Sequence, residues 1–192
     1  MKIMLNLAAI KIRSHANGPG VRSVVWTQGC SLRCEGCFNE SMRPFEDVML
    51  VKAKRLARWL AVLPVAGLTV SGGEPFDQAA GLYDLLGFYR ESCDKTIMIF
   101  TGYTFEELKA APRKIRAALL ADAIVSGRFV AGRHWENKKL ILPTGRLKPS
   151  EISAAPSLEA HISGFSTFLT GYPVFQGGAR NDLPEQGVAD HA

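Results

Sequence analysis

No apolar run in this 192-residue chain approaches the roughly 20 residues that a membrane-spanning helix needs. Met1 to Ile10 is mostly apolar but lacks the cleavage site of a secretory leader, so an edge strand and a cytoplasmic location are expected. Charge of one sign is in short supply: 23 Lys and Arg stand against 18 Asp and Glu, a net +5. An excess that small reads as solvated surface, and no nucleic-acid partner is expected from it. Lys52, Lys54, Arg55 and Arg58 crowd one helix, with Leu56 and Leu60 on its apolar side, and read the same way. There is no internal repeat. Cysteine is scarce, four in all, and without a leader a disulfide framework is not expected.

Three of those four cysteines lie within eight residues. Cys30, Cys34 and Cys37 form C-x3-C-x2-C in the run GCSLRCEGC. One short loop can turn three thiolates toward a common point. A [4Fe–4S] cluster takes four cysteines when closed, so three would leave one iron open to chemistry. Cys93 is far downstream and reads as a core thiol. Zinc stays open as a reading at this point, but a closed zinc site needs four ligands. It would have to recruit His15, His134 or Cys93 from a distance.

The second feature is LTVSGGEPF, residues 68–76. Leu68, Thr69 and Val70 suit a buried strand. Ser71, Gly72 and Gly73 end it, and two adjacent glycines let backbone approach a ligand closely. Glu74 sets a carboxylate at the strand's mouth, and Pro75 stiffens the exit.

With both motifs in hand, the chain resembles the radical S-adenosylmethionine (SAM) superfamily. More narrowly, it is similar to the activating enzymes of anaerobic ribonucleotide reductase and their short single-cluster relatives. Gly18 to Asn39, GPGVRSVVWTQGCSLRCEGCFN, carries most of that likeness, with IFTGYTFEEL (99–108) and DAIVSGRF (122–129) adding to it. The resemblance implies that Cys30, Cys34 and Cys37 hold a [4Fe–4S] cluster and that SAM chelates the fourth iron. It implies that Ser71, Gly72, Gly73 and Glu74 border the methionine part of SAM. Gly36, Cys37 and Phe38 would lie near its nucleoside. It implies an oxidoreductase that cleaves SAM reductively to a 5′-deoxyadenosyl radical, most simply to activate a glycyl radical enzyme. The partners implied are that protein or peptide substrate and a low-potential donor such as flavodoxin or ferredoxin. Two other classes stand beside it: a radical SAM enzyme acting on a small molecule or peptide, as 7-carboxy-7-deazaguanine synthase does, and a non-enzymatic iron–sulfur or zinc module. Two positions depart from the subgroup. Gly36 stands where many radical SAM enzymes carry an aromatic residue. Ser126 stands where the activase pattern often has aspartate, with Arg128 two residues on.

Elements alternate along the chain. Leu5–Ile12, Val21–Trp26, Leu68–Val70, Thr96–Phe100 and Ile124–Val125 read as strands. Val51–Leu63, Gln78–Glu91, Phe105–Ala110 and Arg113–Ala121 read as helices. That order argues an α/β fold with a parallel sheet and its site beyond the carboxyl ends of the strands. A closed (β/α)8 barrel typically needs about 250 residues. The resemblance implies instead a partial, laterally open barrel over residues 1–175. Leu140–Leu142 suits a further strand and residues 161–170 a hairpin. Residues 176–192 read as a disordered tail. Thr101 and Tyr103 follow a strand toward the expected site. His15, Asn17 and Arg22 belong to the N-terminal pattern, and His134, Trp135 and Asn137 to a loop.

Overall fold

Alternation sorts the side chains of the central strands between two faces. In strand β5 (Thr96–Thr101), Ile97 and Ile99 join the main core, while Met98 and Phe100 join a smaller cluster behind the sheet. Strand β6 (Ala123–Ser126) divides the same way, with Ile124 on one side and Ala123 and Val125 on the other. A computed structural model describes residues 3–131, 137–153, 158–163 and 166–171, the last two segments as backbone.

Seven strands form one open sheet. To β5 and β6 are added β1 (Met4–Ser14), β2 (Arg22–Thr27), β3 (Met49–Lys52), β4 (Gly67–Gly72) and β7 (Lys139–Ile141), in the order β3-β1-β2-β4-β5-β6-β7. The four strands β2, β4, β5 and β6 run parallel and are almost wholly buried, as parallel strands covered on both faces are. The pairings of β1 with β2, of β1 with β3 and of β6 with β7 are antiparallel. The expected parallel sheet is therefore a parallel centre with antiparallel flanks. Strands β8 (Leu158–Ser163) and β9 (Ser166–Gly171) pair as the expected hairpin.

Helices cover the larger core. Helix α1 (Ala53–Ala61) buries Ala53, Leu56, Ala57, Leu60 and Ala61, an i, i+3, i+4, i+7, i+8 stripe. Helix α2 (Ala79–Ser92) buries Leu82, Leu85, Leu86 and Tyr89 against it. The helix expected to begin at Val51 begins at Ala53, because Val51 and Lys52 pair with Leu5 and Met4 as the edge strand β3. Lys54, Arg55 and Arg58 are exposed, as expected of a solvated face. Helices α3 (Phe105–Lys109), α4 (Pro112–Ala118) and α5 (Pro149–Ser153) complete the described set. No described helix is long and apolar enough to cross a membrane. The tail at 176–192, the domain end at 175, and His134 and Trp135 lie outside the described residues.

Arg22, of the N-terminal pattern, joins three strands. It is fully buried at the start of β2. Its guanidinium donates to Thr69 Oγ1 (2.8 Å), Leu68 O (2.8 Å), Thr96 Oγ1 (2.9 Å) and Thr96 O (2.9 Å). It ties the amino ends of β2, β4 and β5 together, opposite the cysteine loop, and is a strand anchor. Asn17 is buried at that same end, where its carbonyl accepts from Thr69 Oγ1.

Candidate functional site

The cysteine loop leaves the carboxyl end of β2 and returns to its own start. Gly29 N–H donates to Met42 O (2.9 Å) and Cys30 N–H to Arg43 O (3.0 Å). Between these closures lie Cys30, Cys34 and Cys37, all half-buried and free of disulfides. Arg33, at φ 49°, and Gly36, at φ 62°, take the left-handed conformation that lets so short a loop turn. Burial pushes the Cys30 thiol up, while the N–H groups of Leu32 and Arg33 aimed at its sulfur pull it down. Phe38 stays 45% exposed and Phe45 71%, so the loop's rim is apolar and open.

The SGGEP turn docks against this loop through its backbone. Gly73 N–H donates to Thr27 O (2.8 Å), and Glu74 N–H to Gly29 O (2.8 Å). Asn39 Nδ2 donates to Gly72 O (3.1 Å). A Cβ on Gly73 would sit 2.2 Å from Gly29 O and 2.7 Å from Met42 O, so only glycine fits. Gly72, at φ 111°, leaves no room either, with Thr27 N at 2.4 Å from such a Cβ. Ser71 is half-buried beside them.

Glu74 stands where expected, at the strand's end, but its carboxylate is turned inward. Oε1 accepts from Phe76 N–H (3.0 Å) and Thr101 Oγ1 (2.8 Å), and Oε2 from Gly102 N–H (2.8 Å). Burial pushes this carboxyl from its ordinary 4.5 up to about 7, against the pull of those three donors. The folded protein thus holds the proton to higher pH than the unfolded chain. The stability this group gives is full below about 4.5 and is lost as pH rises through 7. In urea, the metal-free protein is expected to lose on the order of 3 kcal/mol between pH 5 and pH 8. Glu74→Gln, which cannot ionise, should flatten that slope. A stability that climbs over the same range contradicts the burial argument.

Asp77 was not singled out by its sequence, yet it fastens the loop from outside. It accepts from Ser31 N–H (2.7 Å), Ser31 Oγ (3.0 Å) and Tyr103 Oη (2.8 Å). No local signal marks it, since an acidic residue in a helix's first turn is commonplace. Asp77→Asn turns an amide donor toward one of these three and is expected to cost about 1 kcal/mol. Faster loss of iron from reconstituted protein should accompany it; unchanged iron retention would mean that Asp77 does not fasten the loop.

Cations gather on the far wall. Arg128 forms a two-pronged pair with Glu107, at 2.9 and 2.7 Å, and also donates to Gly102 O. Tyr103 lies under Lys114 Nζ, 3.4 Å from the ring centre. Lys138 is only 6% exposed and donates to Gly127 O. Burial pushes its ammonium down to about 8, with Cys34, Glu74 and Cys37 opposing that fall. Ser126 is buried, and its Oγ has no hydrogen-bond partner among the described residues.

The structure therefore brings together the two sequence motifs, Thr101 and Tyr103. Cys93 stands apart at the end of α2, bonded to Tyr89 O (3.5 Å) and packed on the core, as a core thiol would be. Among the described residues no three His, Cys, Asp or Glu side chains converge as a site for one metal ion. A cuboidal cluster is a different demand, because thiolates on separate irons stand farther apart than ligands on one ion.

The comparisons with known proteins fall on this same region. The 4Fe-4S single cluster domain family matches residues 16–142. The chain is 31% identical over 119 residues to the anaerobic ribonucleoside-triphosphate reductase-activating protein of Enterobacteria phage T4, covering 59% of this chain and 74% of that protein. The protein of the same name from Vibrio cholerae serotype O1 is 30% identical over 129 residues, 59% of this chain and 77% of its own length. That from Escherichia coli K12 is 31% identical over 129 residues, with 59% and 78% covered.

Proposed function

This chain belongs to the 4Fe-4S single cluster domain family and to the radical SAM activating proteins within it, and from that membership we propose that it activates a glycyl radical enzyme, most simply anaerobic ribonucleotide reductase. One observation carries the reading: the GGE turn and the cysteine loop are locked face to face by backbone contacts that only glycine at 73 permits.

The donor set fits a cluster with one open iron. Three half-buried free thiols share one closed loop, and the fourth cysteine is engaged elsewhere. Cys30, Cys34 and Cys37 would hold three irons. When bound, a reduced cluster would supply the one electron needed to break the sulfonium S–C bond of SAM, giving methionine and a 5′-deoxyadenosyl radical able to take a hydrogen atom from the substrate. The chain's own part is to bind, orient and exclude. The carbonyls and N–H groups around Ser71, Gly72 and Gly73 would border the methionine end. Glu74 holds the turn to the end of β5 through Thr101 and Gly102. Gly36 and Phe38 flank the last cysteine, where a nucleoside would rest. We read the open sheet as the partial barrel of radical SAM enzymes, with its parallel strands ending at the site. A substrate protein would close the side where Phe38 and Phe45 are exposed. A low-potential donor such as flavodoxin or ferredoxin would supply the electron.

The test is anaerobic reconstitution with iron and sulfide, dithionite reduction, and EPR with and without SAM. A [4Fe–4S] signal that changes on adding SAM, 5′-deoxyadenosine formation, and a glycyl radical on the reductase added as partner together support the reading. A signal indifferent to SAM removes it. SAM cleavage that a small metabolite stimulates and the reductase does not would redirect it to small-molecule chemistry.

A further inference from the structure

We propose that Lys138 is the counter-charge of the iron–sulfur site, a fixed buried cation that raises the cluster's reduction potential. The inference rests on the reading of Cys30, Cys34 and Cys37 as cluster ligands.

Lysine is seldom buried unless something anionic meets it. Lys138 is buried just before β7, and its one hydrogen bond to a described residue goes to the neutral carbonyl of Gly127. None of the ion pairs among the described residues includes it. Arg128, on the same wall, differs in being matched by Glu107. Gly127, whose carbonyl it bonds, donates its N–H to Thr101 O and Tyr103 O, and Gly102 between them packs against Leu32 of the cysteine loop. Lys138 therefore lies by that loop, with Cys34, Cys37 and Glu74 as the anionic groups acting on it and Arg128 adding repulsion. Both oxygens of Glu74 already accept hydrogen bonds from Thr101, Gly102 and Phe76. Among the described residues, the sulfurs of Cys34 and Cys37 are the anionic groups left to meet it. The geometry agrees from the other direction, since a Cβ on Gly36 would come within 3.4 Å of Ala131, so the loop lies close over this wall.

A cluster on three thiolates carries negative charge, and reduction adds one more. A fixed positive charge in a poorly solvated wall favours the reduced form more than the oxidised one. Lys138 would therefore ease the electron transfer that precedes SAM cleavage, and would do so without touching SAM.

The experiment is an EPR-monitored redox titration of reconstituted wild type, Lys138→Met, Lys138→Gln and Lys138→Arg, with iron content measured on each. At the wild-type midpoint, the ratio of reduced to oxidised cluster is expected to fall about tenfold in the Met and Gln variants, equivalent to about 59 mV for one electron. Lys138→Arg should stay close to wild type. Equal potentials in wild type and in whichever uncharged variant holds full iron overturn the proposal. If neither uncharged variant binds iron while Lys138→Arg does, the charge serves to hold the cluster and not to tune its potential, and the proposal falls. If Lys138→Arg also fails, the residue serves by shape and the proposal falls. A wild type that takes up no cluster instead refutes the reading of the cysteines.

Discussion

Alanine at Cys30, Cys34 or Cys37, one at a time, is expected to abolish SAM cleavage, while Cys93→Ala leaves it intact. The contrast follows from placement. The first three thiols share a loop closed by the Gly29–Met42 and Cys30–Arg43 bonds, so none has a substitute nearby. Cys93 sits at the end of α2 against the core. Loss of an outer contact to a metal ligand typically costs 10- to 100-fold. Loss of a ligand from a set of three should exceed about 100-fold in 5′-deoxyadenosine formed. Iron content and visible absorbance after anaerobic reconstitution give the direct readout. A Cys93→Ala protein that loses its cluster, or a Cys34→Ala protein that keeps one, would mean the ligand set is wrong.

Gly73→Ala is expected to be the most damaging change outside the cysteines. The added methyl would meet two carbonyl oxygens, Gly29 O at 2.2 Å and Met42 O at 2.7 Å, and both are backbone. No side chain can swing away, so either the SGGEP turn or the cysteine loop must move. A cost above about 4 kcal/mol is expected, in the range reserved for special backbone sites. In a chain of this size that lowers Tm by about 10 °C. Gly87→Ala is the matched control. Gly87 lies within α2 with nothing within 4 Å of its would-be Cβ. There alanine should stabilise by about 0.5–1 kcal/mol. Thermal unfolding of the two metal-free variants decides it, and a Gly73→Ala midpoint within a degree or two of wild type would show that the contact is not as tight as the geometry says.

Much of this architecture is written in local patterns. The β-branched runs at 68–70 and 96–100 and the apolar stripe of α1 leave little choice of element. The two motifs could be paired because both follow strands whose carboxyl ends share one edge of a parallel sheet. What escaped is what depends on distant partners. Strand β3 is four mostly exposed residues, and only its pairing with β1 makes it a strand. The side-chain pattern of α1 ran on smoothly into it. The sequence places the Glu74 carboxylate at the strand's mouth, but Thr101 and Gly102 at the end of β5, 27 and 28 residues away, supply donors that turn it inward. Asp77 and Lys138 belong to residue types that usually sit on the surface, and their neighbours are assembled only by the fold. Ser126, noticed as a departure from the activase pattern, is indeed buried at the site's edge, and nothing described bonds to its hydroxyl.

The buried guanidinium of Arg22 has a mechanical consequence. It rivets β2, β4 and β5 at their amino ends, where Leu68, Thr69 and Thr96 all receive its protons. A fan fixed at the handle can spread only at its rim. Breathing of these strands is therefore channelled to the opposite end, where the cysteine loop and the SGGEP turn meet. The stiffness at one pole sets the direction of give at the other.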